Sequence, residues 1–355
     1  MAEYLFYPHV IKQNINKLNL AFLKQNLNFS HYYSVKTNPS KYVLDEIAKT
    51  QSSFEIVSKK EWQLTKKYNK KIIILNGPNK TLSLVKDILN HVEELIFNVD
   101  NDSDLGILNK IDRKFRNKIL LGIRIFYAKD GSDWTRFGYN INSSKTVDLI
   151  NELNNLYHLD GFHFHGSYLS VELDKYKNIF REISKLIIDN NLTLEYLDIG
   201  GGYVESFNKT FQKNMYRNVP EIIKKQFSKL QVFGEFGRNI VSNAFDLKSK
   251  VSSLKKIDEK KYIINLDVNI YHFMCFFDHR YEIVYQQTRT QKKKNQFVLD
   301  IYGNSCMQLD TLVLNFVIKT EPKQDDIFLI KNIGAYSISM ASDFISKKPK
   351  IRIIN

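Results

Sequence analysis

Eight times between His31 and Glu235 a short apolar run gives way to a segment with helical spacing. The runs are His31–Val35, Ser53–Val57, Ile72–Leu75, Leu95–Val99, Ile119–Phe126, Leu159–His165, Glu195–Ile199 and Gln231–Glu235, each rich in β-branched or aromatic residues. In the segment Lys80–His91, for example, Leu82, Val85, Ile88 and Leu89 share one helical face. Eight strand–helix units in about 215 residues match a (β/α)8 barrel, which takes ~250 residues; a doubly wound sheet is the alternative. After Asn239 the rhythm changes. Phe245–Leu254, Tyr262–Val268, Glu282–Tyr285, Gln296–Tyr302, Thr311–Val317, Ile327–Ile330 and Ile351–Ile354 are strand-like, with no long helix between them. The expected class is therefore α/β, a barrel over residues 12–240 followed by an all-β domain over 241–355. A strand at Tyr4–Val10, within residues 1–11, is expected to join the second domain.

In a barrel of this kind chemistry sits at the carboxyl ends of the strands. Those ends carry Lys36, Ser58, Asn76-Gly77, Arg124, His165, Gly200-Gly201-Gly202 and Glu235. Lys36 closes an apolar run, where burial would lower its pKa and make its amine nucleophilic; the plain alternative is a surface lysine at a strand end. Gly200–Gly202 is either a tight turn or a place where backbone N–H groups approach a phosphate. His165 is either a satisfied core histidine or a ring stacked on a cofactor. Glu235 and Arg238 stand three apart across Gly237. They form either a surface ion pair or a carboxylate for a pyridine nitrogen beside a guanidinium for phosphate. Together the set suits one phosphorylated, ring-containing cofactor.

Charge and composition narrow the partners. The chain has 52 Lys+Arg against 38 Asp+Glu, net +14, yet its basic residues are scattered, with short clusters only at Lys292–Lys294 and Lys347–Arg352. Neither cluster carries interleaved aromatics, so most of this charge is read as solvated surface with a bias toward small anionic ligands, and no nucleic acid is expected. No apolar run approaches the roughly 20 residues that span a bilayer, so no membrane partner is expected. No signal peptide is expected, since Met1–Tyr4 lead into no basic region followed by an apolar core, and two cysteines, Cys275 and Cys306, make no disulfide framework. A cytoplasmic location follows as an expectation.

The motifs resemble those of the fold type III pyridoxal-phosphate decarboxylases, which act on ornithine, diaminopimelate or arginine. Tyr33–Pro39 resembles the lysine motif YAVKANP of that family, and Ser53–Glu61 its FDVVSGGE. Asn76–Thr81, Phe97–Asp100, Gly161–Ser167, Leu197–Tyr203, Glu235–Arg238, Gly303–Asp310 and Gly334–Ser342 match further motifs in the right order. The resemblance implies an alanine racemase-like barrel plus β domain, with pyridoxal 5'-phosphate as cofactor and no metal. It implies that Lys36 bonds the cofactor covalently, and that His165 stacks on its ring. It also implies that Gly200, Gly201, Gly202 and Arg238 hold the phosphate and that Glu235 faces the pyridine nitrogen. Cys306 resembles the cysteine that a second subunit lends to the site, with Tyr336 reaching the cofactor from the same side, so a head-to-tail homodimer with shared sites is implied.

Three departures bear on function. His165-Gly166-Ser167 lacks the residue the family places before Gly-Ser, and Phe236 replaces a proline, a change expected to alter turn stiffness. Met307 follows Cys306 where free-diamine decarboxylases carry an acid for the distal ammonium. A desolvated ammonium without its partner is costly, whereas an acylated nitrogen carries no charge. The +14 balance favours a carboxylate-rich acyl group, and the run Gly303–Met307 resembles that of siderophore-biosynthesis members of the family; the substrate this implies is an N-citryl diamino acid, such as citryl-ornithine or citryl-diaminopropionate, in carboxylate siderophore synthesis. Its contacts would be Met307, His279 and Arg280. The alternative is a free diamino acid (diaminopimelate, ornithine or lysine) gripped by Asp278 or Asp310. An amino-acid racemase is a weaker rival, since racemases of this fold set an arginine against the pyridine nitrogen where this chain offers Glu235. A binding homologue without activity is opposed by the presence of both Lys36 and Cys306.

Overall fold

The computed structural model describes residues 1–127, 136–165, 173–202, 213–273, 281–286 and 296–354. The chain divides into two units, residues 12–239 and residues 1–11 with 240–355. Strands are numbered along the chain; β1 (Glu3–Phe6) belongs to the second unit. The first unit holds β2 (Phe29–Ser34), β3 (Ser53–Ile56), β4 (Ile72–Leu75), β5 (Glu94–Val99), β6 (Ile119–Phe126), the short β7 (Tyr139–Asn140), β8 (Gly161–Phe164), β9 (Tyr196–Asp198) and β10 (Gln231–Gly234). All but β7 form a closed parallel ring: β5 pairs with β6, and β10 returns to β2. These are the eight runs picked out by periodicity, and the ring excludes the doubly wound alternative.

Tyr32, Ile74, Ile96, Tyr196 and Phe233 point inward from five strands and form one buried cluster. Tyr196 fits there because the next two strands along the ring, β8 and β6, present glycine: a Cβ on Gly161 would lie 2.6 Å from its ring, and one on Gly122 would collide with its hydroxyl. The helix Leu82–Leu89 starts two residues later than its pattern, because the Thr81 hydroxyl accepts from Leu84 N–H and caps it. Its buried face is Leu84, Val85, Ile88 and Leu89, with Leu82 only half-buried.

His31 illustrates what the closed barrel does to a titratable group. Its Nδ1 lies 2.8 Å from Ser52 Oγ and its Nε2 2.8 Å from the Phe236 carbonyl, and burial lowers its pKa to about 4. Below pH 6.5 the unfolded chain takes up a proton that the folded chain refuses. The His31 contribution is therefore complete above pH 6.5 and is lost as pH falls toward 4, by about 3 kcal/mol in all. Chemical denaturation at pH 7, 6 and 5 should show this decline, and His31→Gln should remove its share of the slope. An identical slope in the variant would assign the decline elsewhere.

The second unit is a mixed sheet in the order β13 (Glu282–Gln286), β16 (Ile327–Lys331), β11 (Phe245–Lys256), β12 (Lys261–Leu266), β14 (Phe297–Tyr302) and β15 (Thr311–Ile318). β1 pairs antiparallel with β11 and parallel with β17 (Lys350–Ile353). β1 is shorter than its apolar run suggests. Pro8, which lacks an N–H and suits a first helical turn, opens helix α1 (Pro8–Leu23). Among the described residues no helix is long and apolar enough to cross a membrane.

Candidate active site

The 3-10 turn Val35–Thr37 after β2 presents Lys36 at the carboxyl end of the barrel. Its side chain is 41% exposed, so burial is not what conditions its amine, contrary to the expectation from its apolar run. What meets it is a carboxylate. Lys36 Nζ lies 3.1 and 3.3 Å from the two oxygens of Glu55, on β3, which is buried and also accepts from Ser34 Oγ at 2.6 Å.

Glu55 belongs to a polar layer that closes the apolar barrel interior. Successive side chains on a strand face opposite ways, so the residue two beyond an inward one also points inward. Beyond Ile74, Ile96, Tyr196 and Phe233 of the interior cluster stand Asn76, Asn98, Asp198 and Glu235, all buried. Tyr196 OH donates to Asn98 Oδ1 at 2.8 Å, and Asn98 Nδ2 to Asn76 Oδ1 at 2.9 Å. The Asn76 amide then donates to Glu55 Oε1 at 3.4 Å and to Glu235 Oε1. One asparagine thus bridges the carboxylate beside Lys36 and the carboxylate expected to face a ring nitrogen.

Burial alone would raise the Glu235 pKa. His163, whose Nε2 is 3.4 Å from Glu235 Oε2, with Asp198 and Lys36, outweighs that and holds the carboxyl well below its usual range. Asp198 moves the other way, pushed up by burial and by the charge of Glu235. His165 follows β8 and its Nδ1 accepts from Gly201 N–H at 3.2 Å. Its outer edge is exposed, while the packed ends of the neighbouring strands keep water from the rest of the ring. That desolvation, with the cations Arg124 and Lys36, lowers its pKa to about 3 and leaves a neutral ring.

Gly200 has φ +60, and a Cβ there would strike the Phe164 carbonyl; one on Gly201 would lie 2.5 Å from the Glu235 carbonyl oxygen. The glycine run is required by close packing between the ends of β8 and β10, more than by a turn in isolation. Arg238 opens the short helix Arg238–Val241 just beyond Gly237. Phe236 does more than soften a turn: it is buried, its ring centroid lies 6.1 Å from that of His31, and Gly234 leaves room for it. Ser58 caps the helix Lys59–Thr65 through Glu61 N–H.

Lys36, His165, Gly200, Gly201, Gly202 and Glu235 therefore share the carboxyl end of one barrel. They fit pyridoxal 5'-phosphate: an amine for its aldehyde, a neutral ring, a side-chain-free glycine turn and a buried anion. Glu55, Asn98, Asp198 and His163 were not singled out by the sequence reading, though each is a polar residue inside an otherwise apolar run. Cys306, Met307, Asp310 and Tyr336 belong to the second unit. Cys306 is a free, exposed thiol. Met307 is 40% exposed, its Sδ accepting from Tyr271 OH at 3.3 Å. Asp310, expected as a grip for a free ammonium, is buried, and its two oxygens accept from Ile270 N–H at 2.9 Å and Ser305 N–H at 2.8 Å. Ser167, Asp278, His279 and Arg280 lie outside the described residues.

A closed parallel barrel with this set of groups at its carboxyl end is the frame of an enzyme that works through a phosphorylated aldehyde cofactor. Residues 11–242 match the family model described as the pyridoxal-binding domain of pyridoxal-dependent decarboxylases, and the chain belongs to that family. It is 25% identical to diaminopimelate decarboxylase of Aquifex aeolicus over 96% of this chain and 83% of that one. It is 23% identical to ornithine decarboxylase of Mus musculus over 93% and 76%. The lysine/ornithine decarboxylase of Vibrio vulnificus complexed with cadaverine superposes with a TM-score of 0.82 at 21% identity, covering 100% of this chain and 95% of that one. The chain is a pyridoxal-phosphate-dependent amino-acid decarboxylase.

Proposed function

We propose that the protein releases the α-carboxylate of a free L-diamino acid as CO2, with Lys36 bonding the cofactor and Glu235 facing its ring nitrogen. The observation that carries this is the Asn76 bridge, which ties the carboxylate beside Lys36 to a buried, ionised Glu235. When bound, the cofactor's protonated ring withdraws electrons from the substrate's α-carbon. Glu235 keeps that ring nitrogen protonated, the opposite of what an arginine would do in a racemase. His165 supplies a neutral surface for the ring, and Gly200, Gly201, Gly202 and Arg238 receive the phosphate. The exposed thiol of Cys306, with Tyr336, serves the site of a second copy in a head-to-tail homodimer, Cys306 returning a proton to the α-carbon. The cytoplasm is the compartment that suits this thiol.

Free ornithine, lysine and diaminopimelate are the substrates supported by the names of the relatives. A second reading, an N-citryl diamino acid in carboxylate siderophore synthesis, is favoured by one observation. Met307 offers a half-exposed thioether where a distal ammonium would require an acid. CO2 release by the holoenzyme from ornithine, lysine, diaminopimelate, N-citryl-ornithine and N-citryl-diaminopropionate tests both. A free diamino acid should show the highest kcat/KM; faster turnover of either citryl conjugate would replace the first reading by the second. No CO2 from any of the five would refute both.

A further inference from the structure

Glu235 does not stand alone in the barrel. Asp198 and His163 bring ligand atoms within 4.8 Å of its own, and all three residues are buried. Asp198 Oδ1 accepts from Gly200 N–H at 2.9 Å. Its other oxygen, Oδ2, is buried and meets no donor among the described residues. The Glu235 carboxyl is its carboxylate neighbour, a ligand atom of each residue lying within 4.8 Å of the other, and its charge acts on Asp198. Two buried carboxylates in that position repel each other and leave Oδ2 without a donor, whereas one shared proton removes both costs.

The donors decide which carboxyl holds the proton. Glu235 receives an N–H from Asn76, has His163 Nε2 at 3.4 Å and feels the ammonium of Lys36. Asp198 receives only the Gly200 N–H among the described residues. The anion is therefore best placed on Glu235 and the proton on Asp198.

We propose that Asp198 is a positioning residue: it carries a proton on Oδ2 and donates it to Glu235, fixing Glu235 as an oriented anion toward the cofactor's ring nitrogen. This rests on the cofactor reading above. It also explains why the glycine turn and the ring-nitrogen partner are coupled. Gly200 N–H fixes the Asp198 carboxyl by one oxygen, and its carbonyl accepts from Glu235 N–H at 2.8 Å.

Asparagine is isosteric with a protonated aspartic acid: its Oδ1 still accepts from Gly200, and its Nδ2 still donates to Glu235. Glutamine at 235 replaces the anion itself. In the holoenzyme, Asp198→Ala should lower kcat about ten- to a hundredfold, and Asp198→Asn should recover most of that loss. Glu235→Gln should lose at least about a hundredfold without recovery. Infrared difference spectra at neutral pH give a readout independent of turnover. The wild type should show a protonated carboxylic C=O band that shifts in D2O and is missing from Asp198→Asn. If Asp198→Asn is as impaired as Asp198→Ala, or if no such band separates it from wild type, the proposal is overturned. A wild-type protein that takes up no pyridoxal 5'-phosphate would instead refute the cofactor reading, while the band still decides where the proton sits.

Discussion

Lys36→Ala should abolish decarboxylation, by at least about three orders of magnitude in kcat, while the chain stays folded. The chemical loss is large because no other amine replaces the covalent bond to the cofactor's aldehyde. The structural loss is small because the Lys36 side chain is 41% exposed and its ion pair with Glu55 is partly screened by solvent. Glu55 also keeps its hydrogen bonds from Ser34 and Asn76. The melting temperature should therefore move by only a few degrees. The visible absorbance of the lysine-bound cofactor should vanish with activity, and circular dichroism should not change. Retention of wild-type CO2 release by Lys36→Ala would end the proposed mechanism.

The largest expected loss of stability lies elsewhere in the barrel. Asp104→Ala should destabilise the protein by about 3–5 kcal/mol, because it leaves the Lys80 ammonium buried without its counter-ion. Lys80 Nζ lies 2.6 Å from Asp104 Oδ2, and the two side chains are 0% and 1% exposed. Burial pushes the Lys80 pKa down and the Asp104 pKa up, each moved toward its neutral form, and the partner opposes the shift in both cases. Of the other groups around Lys80, the Gly77 carbonyl at 2.8 Å and the Phe97 ring at 5.1 Å carry no full charge, and Asp100, whose charge also acts on it, is already paired with Arg124 at 3.3 Å. Asp104 also accepts from Asp100 N–H at 2.8 Å, so the variant loses that anchor too. A drop of roughly 10 °C in melting temperature is the expected readout. The double variant Lys80→Met/Asp104→Leu should recover much of it, since an apolar pair of similar volume incurs no desolvation of charge. A single-variant loss under about 1 kcal/mol would show that water or rearrangement shelters the ammonium.

The consequence for function is local. Lys80 ties down the loop that begins at Asn76, the residue that bridges Glu55 and Glu235. A loosened loop would disturb both carboxylates, so Asp104→Ala should also weaken cofactor retention.

The barrel and the places where chemistry collects are legible in the residues alone. Strand and helix periods are local properties, and eight short apolar runs with helical segments between them leave few ways to bury their faces. The carboxyl ends of those runs named Lys36, His165, Gly200–Gly202 and Glu235 before any contact was known. Of the polar layer, Asn76 and Glu235 stood out as strand ends, whereas Asn98 and Asp198, enclosed in apolar runs, did not. Which of them touch was not visible, because that depends on strand neighbours and register across as many as 159 residues of chain, as between Asn76 and Glu235. It takes the folded chain to set Lys36 half-exposed beside Glu55 and to spend Asp310 on backbone N–H groups. Exposure and hydrogen-bond partners are set by segments distant in sequence, and no local pattern encodes them.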